Sequence, residues 1–489
     1  MPFNKNIQEL IDFLKDLPPH EKLQEISKVM LLRGRYRVLK EVLSDMNFCF
    51  VLDSVNYNSL IFDDPLPMKD LLDILNVEPG YGSLTGNVEV GDVIREFEIS
   101  RAYAFANQYH LLVGDIRHVI EDTMVLTTVG ATGGIYTALM ALLARERATG
   151  RNRTGIVFNT PTYCLSDAFA RLNGLTPIPV VGTRENRFFP PLALIHEACI
   201  HPSVFACVLT YPNNPAQHSF KENEIPELLR LIAYCQSNQI QLIADTVFQE
   251  LRWLSAPPVP ELFALADSSD FLCKVFSPSK DRSLASGYRI GYLMTDKALL
   301  PWLEQVASCT TSSANTFSQI WLAIDTVFRS AMLEGGLSQA FLQPLKNSPI
   351  FGFRVKQDID DIYHKICDAN LYDNYVQRVD QFMETLDKGL DKVWNWLRTS
   401  DFFEVDERPP YGNTLMVRVP KQALFQNEFE YYFKVLLTTG VIASTGGCFG
   451  VPSDEGIYFR VVVASYPPEL VIAILGYVKE SLLSQPGQP

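Results

Sequence analysis

Between about residues 90 and 325 the chain alternates two textures, and this alternation restricts its fold more than any other feature. Short, nearly continuous apolar runs recur: "DTMVLTTVG", "GIVFNTP", "TPIPVVG", "VFACVLTYP", "IQLIADTVF", "FLCKVFSPS" and "RIGYLMT". Between several of them lie amphipathic stretches such as "GGIYTALMALLARERATG" and "EIPELLRLIAYCQSNQ". A strand that is apolar on both faces needs cover on both faces. Strands that alternate with helices acquire helical crossovers, which makes their sheet mostly parallel. An α/β large domain follows, with a mostly parallel sheet of the seven-stranded type covered by helices on both faces.

A length of 489 residues exceeds what one hydrophobic core usually supports. The region from 326 to 400 reads as mostly helical, and after it come "NTLMVRVP", the helix "QNEFEYYFKVLLTTG", "IYFRVVVAS" and a last helix "PPELVIAILGYVKESLL". That order suggests a smaller α+β domain. The expected division is 1–77 as an N-terminal helical arm with part of the small domain, 78–325 as the large domain, and 326–489 as the small C-terminal domain with a helical insertion near 330–372. The arm reads as a packing or dimer-contact element, with a small regulatory or DNA-binding module as the alternative.

Charge and cysteine usage narrow the function. The net charge is −14 and no Lys/Arg-rich run stands out, which argues against a nucleic-acid or anionic-membrane surface. Nine scattered cysteines contain no CxxC pair, and the histidines show no ligand-like spacing with them. A metal site is not expected, and reduced cysteines in a cytoplasmic protein are. The start lacks a continuous apolar region and no apolar run reaches membrane-spanning length, so neither a signal peptide nor a membrane partner is expected.

In open α/β sheets ligands bind beyond the carboxyl ends of the strands, and chemistry-bearing residues cluster at those positions here. After "MVLTTV" comes "GATGGI", a small-residue helix start able to expose amides to an anion, or simply a tight strand-helix turn. Tyr163 follows the next strand as a candidate stacking ring or a packing residue. Asn213 and Asn214 precede Pro215 in what is either an ordinary turn or an amide donor. Asp245 ends an apolar strand, where a lone carboxylate is costly. In "SPSKDRSLASGYRIGY", Lys280 sits close to an arginine in a confined setting that disfavours its ammonium form and suits a nucleophile, unless it reaches water. An anion cradle, a ring stack, an amide, a carboxylate and an amine together suit pyridoxal 5'-phosphate.

The chain resembles fold-type-I pyridoxal-phosphate enzymes of the class I/II aminotransferase family, with an aspartate-aminotransferase-like fold. "YPNNPAQ", "SPSKDRSLASGYRIGY" and "IYFRVVVAS" carry the likeness, which covers about residues 78–325 and 373–485. The resemblance implies that Lys280 forms a Schiff base with the cofactor and then shuttles the Cα proton. It assigns Asp245 to the pyridine nitrogen, Asn214 to the phenolic oxygen and Tyr163 to the ring face. The Ala131 and Thr132 amides with Ser277, Ser279 and Arg289 would hold the phosphate. Arg460 would grip the substrate α-carboxylate, and Tyr81 would reach the phosphate in a neighbouring subunit of a homodimer.

Two departures bear on the reaction. Phe248 stands where the family usually carries a tyrosine next to the cofactor, and the block from Lys280 to Arg289 is one residue longer than usual. The implied activity is transfer of an amino group from an amino acid to a 2-oxo acid. The alternatives are a lyase, cyclase, β/γ-substitution or oxidase reaction on the same cofactor, and a binding or regulatory protein that keeps the fold without turnover.

Overall fold

The structure, a computed structural model, describes residues 50–52, 61–75, 83–84, 86, 88–111, 114–163, 165–253, 256–282, 285–310, 313–346, 358–419, 427–439, 441–452, 454–464 and 466–483. The N-terminal arm to residue 49, Tyr81 and residues 347–357 of the expected insertion lie outside these. In chain order the strands are β1 (Phe50–Val51), β2 (Thr123–Thr128), β3 (Gly155–Thr160), β4 (Thr176–Val181), β5 (Val204–Thr210), β6 (Gln241–Asp245), β7 (Leu272–Phe276), β8 (Gly291–Asp296), β9 (Glu404–Val405), β10 (Thr414–Val419), β11 (Val441–Ile442) and β12 (Ile457–Val462).

Among the described residues, β2 to β8 form one seven-stranded sheet in the order β2-β8-β7-β6-β5-β3-β4. Strand β8 runs antiparallel to β2 and β7, and the remaining neighbours are parallel. The α/β sheet read from the apolar runs is therefore present. Strand β4 carries Pro177 and Pro179 and lies at the edge, where a missing N–H breaks no ladder.

Both faces of this sheet are covered, as two-sided apolar strands demand. On one face Leu126, Ile156, Val208, Ile243 and Val275 pack against Ile135, Ala138, Leu139 and Leu142. Those four belong to helix α2 (Gly130–Ala148), which follows helix α1 (Val88–Gln108) in the chain. On the other face Val157, Cys207, Leu209 and Leu242 meet Ile99, Ala102 and Phe105 of α1, with Leu192, Leu228 and Leu231 from the crossover helices.

Helix α3 (Thr316–Glu334) follows the sheet and is buried along most of its length. Its Trp321 indole donates to the Leu66 carbonyl at 2.7 Å. Helix α4 (Leu371–Arg398) presents Leu386, Leu390, Val393 and Leu397 at helical spacing to the small antiparallel sheet β12-β10-β9. Helix α5 (Pro468–Leu483) packs its Val471, Leu475 and Val478 into the same cluster. Among the described residues the smaller α+β unit is thus a three-stranded sheet packed with α4, α5 and the helix Glu428–Thr439, which adds Tyr431 and Val435 to the cluster.

Strand β7 carries one cation in its interior. Lys274 is 1% exposed, and its ammonium donates to Glu98 at 2.6 Å and to Glu261 at 2.5 Å. Glu98 also accepts from Arg101 at 3.0 Å and from the Tyr292 hydroxyl. Burial alone would push the Glu98 carboxyl up, but Arg101, Lys274 and Tyr292 outweigh it and hold it at about 2. Burial prevails at Glu261, whose carboxyl is raised although Lys274 opposes the shift. The cluster clamps α1 to β7 from beneath the sheet.

Replacing the cation tests that clamp. Lys274→Met leaves two buried carboxylates facing each other and is expected to destabilise the protein by about 3–5 kcal/mol in urea unfolding at pH 8. The loss should shrink as the pH falls and the carboxyls protonate, and Lys274→Met/Glu98→Gln should recover part of it. A cost below about 1 kcal/mol, as for a surface pair, would contradict this account.

Candidate active site

The carboxyl ends of β2, β3, β5, β6 and β7 lie along one edge of the large sheet, and the start of antiparallel β8 joins them. Asp245 is the last residue of β6, in register with Thr210 on β5 and Val275 on β7. It is 7% exposed and accepts from the Val247 amide at 3.3 Å and from the Thr210 side chain. Burial raises its carboxyl to about 6, although these two donors and the charge of Lys280 pull the other way.

The turn after β5 separates the roles of its two asparagines. Asn213 holds the turn: its amide donates to the Phe188 carbonyl at 2.8 Å and its oxygen accepts from the His218 amide at 2.8 Å. Asn214 reaches the other domain, where its Oδ1 accepts from the Arg460 guanidinium at 2.9 Å. Arg460 lies on β12, in register with Met416 of β10, and its guanidinium rests over the Phe449 ring at 4.6 Å from the centroid. Both Asn214 and Arg460 are buried.

Three further contacts bind the small sheet to this edge. The Phe449 carbonyl accepts from the Thr162 amide at 2.9 Å and from the Thr160 hydroxyl at 3.1 Å. The Thr414 hydroxyl donates to the Pro215 carbonyl at 2.7 Å.

Strand β7 ends at Phe276, and Lys280 stands four residues later in a turn, half-buried, rather than at the strand end itself. The turn is fastened at its start. The Ser277 hydroxyl donates to the Ile290 carbonyl at 2.8 Å and accepts from the Ser279 amide at 3.4 Å. Arg289 is exposed, and its guanidinium lies against Gly130 at the start of α2. A Cβ on Gly130 would come within 3.2 Å of that guanidinium, and φ there is +69°, so glycine serves both the backbone and the close approach. Ala131 and Thr132 follow in the first turn of α2, whose amides point beyond the helix end.

Tyr163 is 46% exposed just beyond β3. Phe248 is fully buried among Leu251, Trp253 and Leu415, in an apolar cluster shared with the small domain. Tyr81 lies outside the described residues.

Sequence reasoning passed over Thr210, Phe449 and the pair Asp281–Arg282. The signal for the last was present: charges directly after Lys280, and Asp325 and Arg329 one turn apart inside the apolar helix "TFSQIWLAIDTVFRSAMLE". Thr210 and Phe449 carried no local signal, because their roles depend on long-range neighbours.

Residues 98–325 match the family model described as aminotransferase class I and II. An aspartate aminotransferase from Geobacillus stearothermophilus is 23% identical over 199 residues, 41% of this chain and 48% of that protein. An arginine–pyruvate transaminase from Pseudomonas aeruginosa is 24% identical over 200 residues, 41% of this chain and 47% of its own length. The chain thus spans about half the length of these curated relatives. Among solved structures, an alanine aminotransferase from Pyrococcus furiosus superposes with a TM-score of 0.63 at 17% identity, covering 91% of this chain and 94% of the other. An aspartate aminotransferase from Thermotoga maritima gives 0.61 at 17% identity, covering 93% and 96%.

The fold is aspartate-aminotransferase-like, an α/β architecture with a mostly parallel large sheet flanked by helices. Residues 98–325, a little under half of the chain, are similar to the class I and II aminotransferase family. The cofactor of that family is pyridoxal 5'-phosphate, and the site fits it. A buried carboxyl pushed up to about 6 suits a cationic ring nitrogen as a neighbour, and an uncapped helix start beside Arg289 suits a phosphate.

Asp245 supplies the test of that fit. Its folded value is raised above the ordinary 3.8, so the buried charge costs stability above about pH 6 and nothing below about pH 4, where the carboxyl is protonated in both states. Asp245→Asn is therefore expected to raise the Tm of cofactor-free protein at pH 8 and to leave it unchanged at pH 3.5. Thermal scans at the two pH values check this, and an equal effect at both would remove the buried charge as its cause.

Proposed function

We propose that the protein is an aminotransferase that moves an amino group from an amino acid to a 2-oxo acid. The observation that carries this reading is the meeting, at one sheet edge, of Asp245, the Lys280 turn and Arg460 bonded to Asn214. Pyridoxal phosphate bound there supplies a covalent attachment for the amino group and a sink for the electrons left at the substrate Cα.

The chain's own residues account for the remainder. Arg460 takes the substrate α-carboxylate in a two-pronged contact, with its guanidinium packed over the Phe449 ring. Asn214 orients Arg460 through Oδ1 and keeps its amide hydrogens for the cofactor's phenolic oxygen. Asp245 keeps a proton on the ring nitrogen. The Lys280 amine would hold the cofactor and, once freed by the incoming amino group, would move the proton at Cα. The amides of Ala131 and Thr132, with Ser277, Ser279 and Arg289, hold the phosphate, and Tyr163 covers the ring. Tyr81 from a partner subunit completes the phosphate site in a homodimer. Nothing in this set needs a basic nucleic-acid surface, and no described helix is long and apolar enough to cross a membrane. The free cysteines suit the cytoplasm.

A second reading has one observation in its favour. Phe248 brings no hydroxyl to a position where the resembling family carries a phenol, which alters the electron balance toward a lyase, cyclase, β/γ-substitution or oxidase reaction.

A panel of amino acids added to cofactor-loaded protein separates the two. Transamination releases a 2-oxo acid without ammonia, in proportion to cofactor, before any acceptor is supplied. Release of ammonia or another leaving group supports the second reading. Lys280→Ala is expected to abolish turnover. Arg460→Ala should raise the amino-acid KM by roughly 10-fold to 100-fold, the value of a charged hydrogen-bonded contact. Full activity in Lys280→Ala would overturn the site assignment.

A further inference from the structure

The residue after Lys280 opens a closed circuit of hydrogen bonds that the reaction itself does not call for. Asp281 has no exposed surface, and its two oxygens accept from Arg329 at 2.6 and 3.2 Å. The Arg329 Nε donates to Asp325 at 2.6 Å. The other Asp325 oxygen accepts from the Tyr375 hydroxyl at 2.7 Å. The Tyr375 oxygen accepts in turn from Arg282 Nε at 2.8 Å, and Arg282 Nη1 donates to the Asp281 carbonyl at 2.8 Å, which closes the ring.

All five side chains are buried. Two carboxylates and two guanidinium groups balance, so the ring is neutral as a whole. Burial, with the Asp325 charge, pushes the Tyr375 phenol up, so it stays protonated and donates. A buried network with every member satisfied is stiff, because breaking any one bond strands a charge.

Its members come from three elements. Asp281 and Arg282 directly follow Lys280, Asp325 and Arg329 belong to α3, and Tyr375 belongs to α4. The later turns of α4 pack against the small sheet that carries Arg460. The ring therefore fixes the backbone on the carboxyl side of Lys280, while Ser277 fixes it on the amino side.

We propose that this ring is a positioning device, in which Asp281, held by Arg329, Asp325 and Tyr375, sets the reach of the Lys280 amine and registers it to the domain that bears Arg460. The inference rests on the reading above, in which Lys280 is the reacting amine. Asp281, Arg329 and Tyr375 act through Lys280 and touch neither substrate nor cofactor. A displacement of about 1 Å at the reacting amine is enough to cost up to ~100-fold in rate.

The experiment uses full-length wild type, Asp281→Asn and Tyr375→Phe, the second of which deletes one oxygen. Borohydride reduction of cofactor-loaded wild type, followed by peptide mapping, first locates the modified lysine. The rate of pyridoxal-phosphate capture by cofactor-free protein, the kcat and KM for the amino acid, and the Tm are then measured for each protein. Capture and kcat are expected to fall by roughly 10-fold to 100-fold while KM stays within about two-fold, because misplacing the amine spares the carboxylate grip. Capture and kcat at wild-type levels in either folded variant would overturn the proposal. So would a rise in KM parallel to the fall in kcat, which indicates general loosening. Should Asp281→Asn not fold, Tyr375→Phe alone decides. A modified lysine other than Lys280 would overturn the underlying site assignment, and the inference with it.

Discussion

A charge taken out of water must meet its opposite, and the architecture around this sheet edge follows from that requirement. Lys274 inside β7 is tolerable only with Glu98 and Glu261 beside it, which in turn fixes α1 and the segment around residue 261 against the strand. Asp281 beneath the Lys280 turn is tolerable only with Arg329, which fixes α3. The two clusters meet around Glu250, which pairs with Arg101 at 2.6 Å and lies 3.9 Å from Arg329. Against that background Asp245 stands apart. It is as buried as the others, yet its hydrogen-bond donors are a backbone amide and a threonine, and the opposing charge of Lys280 does not bring its carboxyl down to the ordinary range. Burial raises its carboxyl as it raises that of Glu261, but at the sheet edge rather than inside the Lys274 clamp.

Much of the large domain was legible because the apolar runs were both continuous and regularly punctuated. Two-sided apolar strands force a covered sheet, and Pro177 and Pro179 put β4 at its edge. The strand-end residues were legible for a related reason, since an apolar strand that stops at Asp245, or a turn that offers Lys280, departs from what packing alone requires.

What stayed hidden was pairing across the chain. The Arg460–Asn214 bond spans 246 positions, and no local pattern reveals that the Asn214 oxygen is taken by Arg460. Lys274 sits inside an apolar run with no local partner, because its two carboxylates come from residues 98 and 261. Phe449 likewise carries no local signal, yet its ring packs under a guanidinium and its carbonyl accepts from Thr160 at the end of β3 and from Thr162 just after it.

These pairings also show how the two domains share the site. On one side the small sheet reaches over the strand ends through Phe449, Thr414 and Arg460, each bonded to a turn that follows β3 or β5. On the other side α4 reaches under the Lys280 turn through Tyr375. Helix α4 and the small sheet share one apolar core, so a shift of that unit moves both contacts together. Packed cores resist continuous deformation and move as units. Strand β12 with Arg460 and the ring under the Lys280 turn are therefore both anchored to the unit that α4 and the small sheet form.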